Sequence, residues 1–266
     1  MSQIFKKTAL SPSGNSSWTA EICQGWRIGS AVNGGYALSL VGQALAQTLT
    51  HPDPLTINAF YLAPCHLGQI EVQVLPLSET KNTSFASADL FQNGQLKLRA
   101  TAAYIDQNEL SGPDWSGADI PEVPSFDEVK NPPMETLEIH NNVDIRMVRG
   151  LELFTDGVAD GSGEFVAWLA HRDGTDPSVI DLLLFADVMP PPVFSLFGIS
   201  GWVPTIELTV QVRQAPVPGP VLARHKTRHL IRGIAETDTE IWDQCGELVA
   251  IARQTTKVLK QSIVKD

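Results

Sequence analysis

Three polar side chains in the second half of the chain stand out as candidates for chemistry, and the first is Asp187. It follows a run of apolar residues and precedes the three prolines at 190–192, which end a helix. A carboxylate among apolar residues needs a hydrogen-bond partner or a chemical role, such as that of a general base. The alternative is an N-cap that faces water.

The other two candidates, Gln254 and Thr209, lie in predicted strands. Gln254 shares a strand face with Ala250 and Ala252, so its carboxamide is expected to be buried and hydrogen-bonded. A satisfied core glutamine and a catalytic one fit this position equally. Thr209 shares a face with Glu207, opposite the apolar face of its strand, and β propensity alone would account for it.

Motifs for other common chemistries do not occur in the sequence. It contains no Gly-x-Ser-x-Gly elbow, Walker loop, Gly-x-Gly-x-x-Gly or His-Glu-x-x-His. His225 and His229 fall in one predicted strand, where they would lie about 13 Å apart, too far for one metal ion. We therefore interpret both as surface or partner-bonded histidines. The three cysteines, at 23, 65 and 245, indicate neither a disulfide framework nor a zinc site.

The elements that must position these side chains come in two similar sets. The first set is a strand at 18–26, a helix at 34–49 and strands at 56–62, 69–76, 83–92 and 96–105. The second is a strand at 165–172, a helical region at 177–197 and strands at 205–213, 221–230, 234–243 and 248–259. Ala63-Pro64 and Ala215-Pro216 give an offset of 215 − 63 = 152, and Gly94 and Gly246 give the same offset. We interpret this as a tandem duplication.

The segment between the two sets is rich in proline and acidic residues and shows no sustained period. Such a long structureless stretch favours a connection between two units, although a functional lid is the alternative. The predicted organisation is an N-terminal unit at 1–106, a linker at 107–141 and a C-terminal unit at 142–266, which carries the candidate catalytic residues.

The predicted helix at 34–49 indicates how each unit folds. Its apolar residues cover most of the circumference, and small residues such as Gly42 and Ala44 keep it thin. A helix that is apolar nearly all round is buried, so the following antiparallel strands must curl around it. The predicted fold class is α+β, with a long antiparallel sheet wrapped around a central helix in each unit.

Composition excludes one class of partner. The 266 residues include 19 Lys and Arg against 30 Asp and Glu, a net charge of −11, with no basic cluster. Nucleic acid is therefore not expected as the main partner. We expect no membrane span and a cytoplasmic location, because the longest apolar run is short and the first residues lack a secretory signal.

Five short segments together resemble one known family. They are Asn-Gly-Gly-Tyr at 33–36, Phe-Tyr-Leu-Ala-Pro-Cys-His-Leu-Gly at 60–68, Phe-Ala-Asp at 185–187, Thr-Ile-Glu-Leu-Thr at 205–209 and Val-Ala-Ile-Ala-Arg-Gln at 249–254. In order and spacing they resemble the acyl-CoA thioesterase II-like family of the double-hotdog thioesterase superfamily. The family often has His-Gly-Gly where Asn33-Gly34-Gly35 stands, and Asp-His-Thr where Glu207-Leu208-Thr209 stands.

The resemblance implies hydrolysis of acyl-CoA thioesters to free CoA and a carboxylic acid, with no cofactor and no metal. By this resemblance Asp187 would be the general base, with the role of nucleophile as the second choice. Thr209 and Gln254 would orient the water. The substrate-binding segment would be Gly34, Gly35 and Tyr36. Helix-head amides would polarise the thioester carbonyl, with Gly35 and Tyr36 as the residues to test for this role and a degenerate site as their alternative. The family also suggests a homodimer of double-hotdog chains.

Two other functions remain open on the same fold. One is a non-catalytic module that binds acyl-CoA or lipid, and the other is an acyl-thioester hydratase. A hydratase would need an Asp and His pair at the helix head, and Asp187 has no histidine beside it in the sequence. Large apolar residues that could line an acyl tunnel, or belong to the core, are Phe185, Met189, Phe194, Phe197 and Trp202.

Overall fold

The computed structural model of the protein describes residues 8–117, 119–130, 137–199 and 201–258. Part of the expected linker, including Pro132 and Pro133, lies outside these ranges, as does Leu259 at the end of a predicted strand.

The first half contains one long helix followed by four long strands, as the sequence predicts. Its elements are β1 (Ser11–Gly14), β2 (Ser17–Ile22), β3 (Arg27–Ile28), β4 (Ala31–Val32), α1 (Gly34–Thr48), β5 (Asp53–Tyr61), β6 (Gly68–Glu79), β7 (Ser84–Gln92) and β8 (Gln95–Ile105). Asn33 caps α1, because its side-chain oxygen accepts the N–H of Tyr36 at 2.9 Å.

The second half repeats the strands but not the long helix. After 3-10 turns at Gln107–Glu109 and Glu138–Asn141, its elements are β9 (Val143–Arg149), α2 (Glu152–Thr155), β10 (Glu164–His171), α3 (Asp181–Phe185), α4 (Val193–Phe197), β11 (Thr205–Val212), β12 (Val221–Lys226), β13 (Leu230–Ile231), β14 (Ile234–Asp243) and β15 (Leu248–Lys257).

Three stretches of the second half differ from the sequence expectation, and the first is the predicted strand at 221–230, which ends at Lys226 as β12 and continues only as the separate β13. The helical region at 177–197 is two five-residue helices, α3 and α4, because the prolines at 190–192 interrupt it. The strand β9 was missed, although Val143, Ile145 and Met147 alternate along it as its buried face.

Both halves contribute to one 13-stranded antiparallel sheet. Its order is β1-β2-β6-β7-β8-β5-β11-β15-β14-β12-β10-β9, and β13 pairs with β14 beside this path. The halves join where β5 pairs with β11. There Asn58 pairs with Thr209 and Ile57 with Val210. By the offset of 152, Asn58 is equivalent to Val210 and Ile57 is equivalent to Thr209. Each pair is therefore the counterpart of the other, and the seam has approximate twofold symmetry.

The helix α1 is buried, as predicted, and it approaches α3 at its glycines. Residues 35–45 of the helix are all buried. A Cβ on Gly42 would lie 2.5 Å from Cδ1 of Leu183, and one on Gly35 would lie 2.8 Å from the carbonyl oxygen of Leu184. The two halves therefore pack helix to helix as well as strand to strand, which brings the end of α3 to the head of α1.

Residues of the expected linker lie on the outer face of the second half's sheet. Val123, Phe126 and Val129 pack against a small apolar cluster that includes Trp168. The indole Nε1 of Trp168 donates to the carbonyl oxygen of Pro124 at 2.9 Å. This segment therefore covers apolar side chains that the sheet turns away from the main core. In the described part of the chain, no helix has the length and apolarity to cross a membrane.

Candidate active site

A cavity of about 420 Å³ opens at the junction of the two halves. Its wall combines the head of α1, the end of β5, the segment after α3 and the start of β11 with parts of β12 and β15. The polar side chains on this wall include Asn33, Tyr61, Lys97, Asp187, Thr205, His225, Gln254 and Thr256.

Asp187 follows the end of α3 and faces the head of the other half's helix. Its Oδ2 accepts the main-chain N–H of Gly35 at 2.8 Å and lies 3.3 Å from Nδ2 of Asn33. Its Oδ1 accepts from Nε2 of Gln254 at 2.5 Å. The carboxylate is thus held from both halves, at the end of α1 where the helix dipole is positive.

Burial raises the pKa of Asp187 to about 6, and the hydrogen bonds from Gly35, Gln254 and Gly34 oppose this rise. The side chain keeps some exposure because it lines the cavity. At neutral pH the group is mostly ionised, yet it is a stronger base than an ordinary aspartate. These are the properties that a general base requires.

Gln254 joins Asp187 to a threonine other than the predicted one. Its Nε2 donates to Oγ1 of Thr205 at 2.6 Å as well as to Asp187. The pairing register of β11 shifts by one residue between Thr205 and Glu207, so that Thr205 stands opposite Thr256. Because of this bulge, Thr205 faces the cavity with Gln254, whereas strict alternation would turn it outward.

Thr209 lies on the other face of the sheet, so the prediction that it acts with Asp187 is corrected. It pairs with Arg253 rather than with Gln254. Its hydroxyl donates to Oε1 of Glu207 at 2.6 Å and accepts from Nδ2 of Asn58 at 2.8 Å. The physical reason is that successive side chains of β11 point to opposite faces of the sheet. Because its apolar residues face the core, Thr209 faces away from it.

The predicted substrate-binding segment divides into three different roles. Gly34 lines the cavity, and the N–H of Gly35 donates to Asp187. Tyr36 is a core residue, which corrects its predicted role in substrate binding. It is fully buried and stacks on Trp26 with the ring centroids 4.3 Å apart. Its N–H is taken by the Asn33 cap, and its phenol oxygen lies 2.6 Å from Oγ1 of Thr8.

Sequence reasoning missed two positions that shape the site. Nδ2 of Asn33 donates to the carbonyl oxygen of Asp187 at 2.9 Å, so the cap of α1 also fixes the backbone that carries the carboxylate. The hydroxyl of Tyr61 donates to the carbonyl oxygen of Gly34 at 3.1 Å, which pins the first residue of the helix. The feature of the sequence that could have identified Asn33 is a polar cap residue directly before two glycines.

Three of the five apolar candidates for an acyl tunnel lie in the cavity wall, and two do not. Met189, Phe194 and Trp202 line the cavity. Phe185 is fully buried in the core, and Phe197 is 44% exposed. The cavity therefore offers an apolar wall beside the polar cluster of Asp187, Thr205 and Gln254. Within the described ranges, no group of three or more His, Cys, Asp and Glu side chains could hold a metal ion.

Solved structures share this fold over nearly the whole chain. A candidate thioesterase II from Thermobifida fusca matches with a TM-score of 0.89 and 23% identity over 98% of both chains. A protein of unknown function with a hot dog fold from Alicyclobacillus acidocaldarius matches with a TM-score of 0.86 and 19% identity, over 97% of this chain and 98% of the other. The architecture is thus the hotdog fold, present twice, as the sequence analysis expected.

Family comparison then identifies the chain. Residues 22–105 match the family of acyl-CoA thioesterase N-terminal domains, and residues 118–258 match the family of acyl-CoA thioesterase C-terminal domains. The chain belongs to the acyl-CoA thioesterase family and is an acyl-CoA thioesterase. An uncharacterized protein of Mycobacterium tuberculosis is 22% identical over 91% of this chain and 90% of its own length.

Proposed function

We propose that the protein hydrolyses acyl-CoA thioesters at the cluster of Asp187, Thr205 and Gln254. The observation that carries this proposal is the position of Gln254 Nε2, which lies 2.5 Å from Oδ1 of Asp187 and 2.6 Å from Oγ1 of Thr205. One carboxamide thereby fixes a base and a hydroxyl at the wall of an apolar cavity.

In this mechanism Asp187 is the general base. Thr205 accepts from Gln254, so its own proton is free to bond the oxygen of a water molecule. Asp187 accepts a proton from that water, and the hydroxide oxygen bonds to the thioester carbon. The carbon–sulfur bond then breaks, and the CoA thiolate takes the proton back from Asp187. The products are free CoA and a carboxylic acid.

The head of α1 supplies electrostatic stabilisation for the oxygen of the thioester carbonyl. The amides of Gly34 and Gly35 already bond Asp187, so we assign this role to the helix dipole rather than to free N–H groups. The same helix end keeps Asp187 in its ionised form, opposing the effect of burial.

Two observations favour hydrolysis over the alternative functions. The partners of the carboxylate are amides, where a hydratase would require an imidazole beside it. The pKa of Asp187, raised by burial to about 6, also suits a group that takes up a proton near neutral pH.

The deciding experiment measures release of free thiol from acyl-CoA esters of increasing chain length. We expect turnover by the native protein and a loss of about 100- to 10,000-fold in kcat for Asp187→Asn. Unchanged kcat in that variant would reject Asp187 as the base, and absence of turnover on every ester would favour the binding module.

We propose a cytoplasmic location and a homodimer of these chains, the second to be tested by light scattering after gel filtration. We also propose the division into units at 1–106 and 142–266 with a linker at 107–141. The segment of described linker residues that crosses the outer face of the second half supports this division.

A further inference from the structure

The wall of the cavity contains a cation that the proposed mechanism does not use. Lys97 of β8 lines the cavity together with Cys65 and is only 8% exposed. It is the one lysine or arginine among the described residues of this wall. Removing an ammonium group from water is costly unless an anion and hydrogen bonds compensate, so Lys97 is a candidate for binding an anion.

A bulge in β8 turns Lys97 to the cavity side of the sheet. Leu96 pairs with Phe91 and Leu98 pairs with Leu90, so Lys97 is an extra residue between two regular pairs. Strict alternation would place Lys97 and Leu98 on opposite faces of the strand. Because of the bulge, both are buried, although they are neighbours in the sequence.

The equivalent position in the second half carries an apolar residue. The offset of 249 − 97 = 152 relates Lys97 to Val249, which is likewise an extra residue where the register of β15 with β14 shifts. The carbonyl oxygen of Val249 accepts the N–H of Arg213 at 2.8 Å, and that of Lys97 accepts the N–H of Leu62 at the same distance. Val249 is fully buried. The local fold therefore accommodates a valine, and packing alone does not require the lysine.

The ammonium group of Lys97 lies at the rim of the cavity. Its Nζ donates to Oε1 of Gln95 at 2.8 Å, and Gln95 is the exposed first residue of β8. Burial raises the pKa of the Cys65 thiol to about 11, and the positive charge of Lys97 opposes this rise. The charge is therefore close to the cavity wall at Cys65 and to the exposed end of β8.

Tyr61 of β5 connects this rim with the reaction centre. Tyr61 pairs with Leu98, the neighbour of Lys97, and its hydroxyl donates to Gly34 at the head of α1, beside Asp187. With one strand spacing of about 4.8 Å and the length of the tyrosine side chain, the backbone of Lys97 is on the order of 10 Å from the carboxylate. The lysine side chain extends further, toward Gln95. The pantetheine arm of CoA, which separates the thioester from the phosphates, can bridge such a span.

The two sides of the cavity differ in charge, as the two ends of an acyl-CoA do. The wall from the second half includes Met189, Phe194, Trp202 and Val203, which suit an uncharged acyl chain. The wall from the first half includes Lys97. Phosphate oxygens form strong hydrogen bonds with an ammonium group, because both partners are charged.

We propose that Lys97 binds a phosphate group of CoA at the rim of the cavity, on the side of the first half. This inference rests on the proposed function, because it takes acyl-CoA as the substrate. An ammonium group has three N–H donors, of which one bonds Gln95 and holds the group in place. Lys97 thereby fixes the direction in which the substrate lies, with CoA on the first half and the acyl chain on the second.

The test compares kcat/KM for an acyl-CoA with kcat/KM for the same acyl group on pantetheine, which keeps the thioester and lacks the phosphates. We expect Lys97→Met to lower the ratio of the two values about tenfold, the effect of one hydrogen bond between charged groups. The value for the pantetheine ester should stay within about twofold of the native value. Because the ratio is taken within one variant, partial loss of folded protein cancels.

Three further variants complete the comparison. Lys81→Met makes the same substitution at an exposed lysine in the turn between β6 and β7 and should keep the native ratio. Lys97→Arg, which keeps the positive charge, should recover part of the ratio. Gln95→Glu places a carboxylate beside the ammonium group, where it competes with the phosphate, and should lower the ratio as Lys97→Met does. A ratio that Lys97→Met leaves unchanged would overturn the inference, as would an equal loss on both esters.

Binding of free CoA and of pantetheine, measured by calorimetry, separates this inference from the proposed function. A tenfold loss of CoA affinity in Lys97→Met, with pantetheine affinity unchanged and no hydrolysis of any ester, would keep the phosphate site and reject the thioesterase mechanism. Equal CoA affinity in the native and Lys97→Met proteins, with hydrolysis lost in Asp187→Asn, would reject the site and keep the mechanism. A preference for acyl chains that end in a carboxylate, abolished by Lys97→Met, would reverse the direction of the substrate and overturn the inference.

Discussion

The main-chain N–H of Gly35 donates a 2.8 Å hydrogen bond to Oδ2 of Asp187, 152 residues further along the chain. This separation equals the offset between the two halves, so the contact joins equivalent positions of the duplication. Gly35 is thus the position in the first half that is equivalent to Asp187. Because glycine has no side chain, the pseudo-twofold arrangement has a single carboxylate at this point.

Gly35 is expected to tolerate no side chain. A Cβ there would lie 2.8 Å from the carbonyl oxygen of Leu184 and 2.9 Å from that of Leu183, and both are backbone atoms that cannot rotate away. We expect Gly35→Ala to lower the free energy of unfolding by about 1–3 kcal/mol and to reduce kcat. Urea denaturation and thiol release measure the two effects.

Gly42→Ala is the matched control for this prediction. Its Cβ would lie 2.5 Å from Cδ1 of Leu183, the end of a flexible side chain, whereas its next neighbours, the Tyr104 hydroxyl and Cδ1 of Ile180, lie 3.4 and 3.6 Å away. Alanine is also the better helix former. We therefore expect a smaller loss of stability than in Gly35→Ala. An equal loss in both variants would contradict the importance of the rigid backbone contact.

The two threonines of β11 provide a direct test of the site. Thr205 bonds Gln254 on the cavity side, and Thr209 bonds Glu207 on the opposite face. We expect Thr205→Ala to lower kcat by about tenfold or more, because one hydrogen bond is worth about 1 kcal/mol and bonds to charged networks more. Thr209→Ala should stay within about twofold of the native value. The reverse order would restore Thr209 as the catalytic threonine.

The pH dependence of hydrolysis should report the carboxylate. Since the pKa of Asp187 is raised by burial to about 6 and the ionised form is the base, kcat/KM should rise tenfold per pH unit below 6 and level off above it. Initial rates of thiol release between pH 4.5 and 8 measure the profile. A plateau that extends unchanged down to pH 5 would contradict the assignment.

Asn33→Ser should shift that profile. Serine can still cap α1, but it lacks the Nδ2 group that bonds the backbone of Asp187 and lies 3.3 Å from its Oδ2. Loss of this donor disfavours the ionised carboxylate, so the midpoint should move to higher pH. An unchanged midpoint would show that Asn33 acts only as a helix cap.

The ionised Asp187 should also limit stability. Its pKa is higher in the folded protein than the ordinary value near 3.8, so the folded state binds its proton more tightly. The stability contribution of this group therefore falls as pH rises between about 4 and 6. Asp187→Asn should gain about 1–3 kcal/mol at pH 8 and little at pH 4, measured by urea denaturation at both values. Equal gains at both pH values would point to a packing effect.

Much of the fold followed from local pattern in the sequence. The helix α1 could be predicted because apolar and small residues cover most of its circumference. The long strands β5 to β8 could be predicted because turn residues separate them. The offset of 152 could be found because the duplicated halves kept two short landmarks. The second half's helices were less predictable, since the run of prolines replaces one long helix by two short ones.

The double-hotdog architecture and two members of the candidate site, Asp187 and Gln254, could be predicted from sequence. The third member, Thr205, could be identified only in the folded protein. A bulge between Thr205 and Glu207 turns Thr205 to the cavity and leaves Thr209 outside, and an alternation rule cannot locate a bulge within one strand. The structure alone also placed His225 in the cavity wall, because that wall is built from several elements that are distant in the sequence.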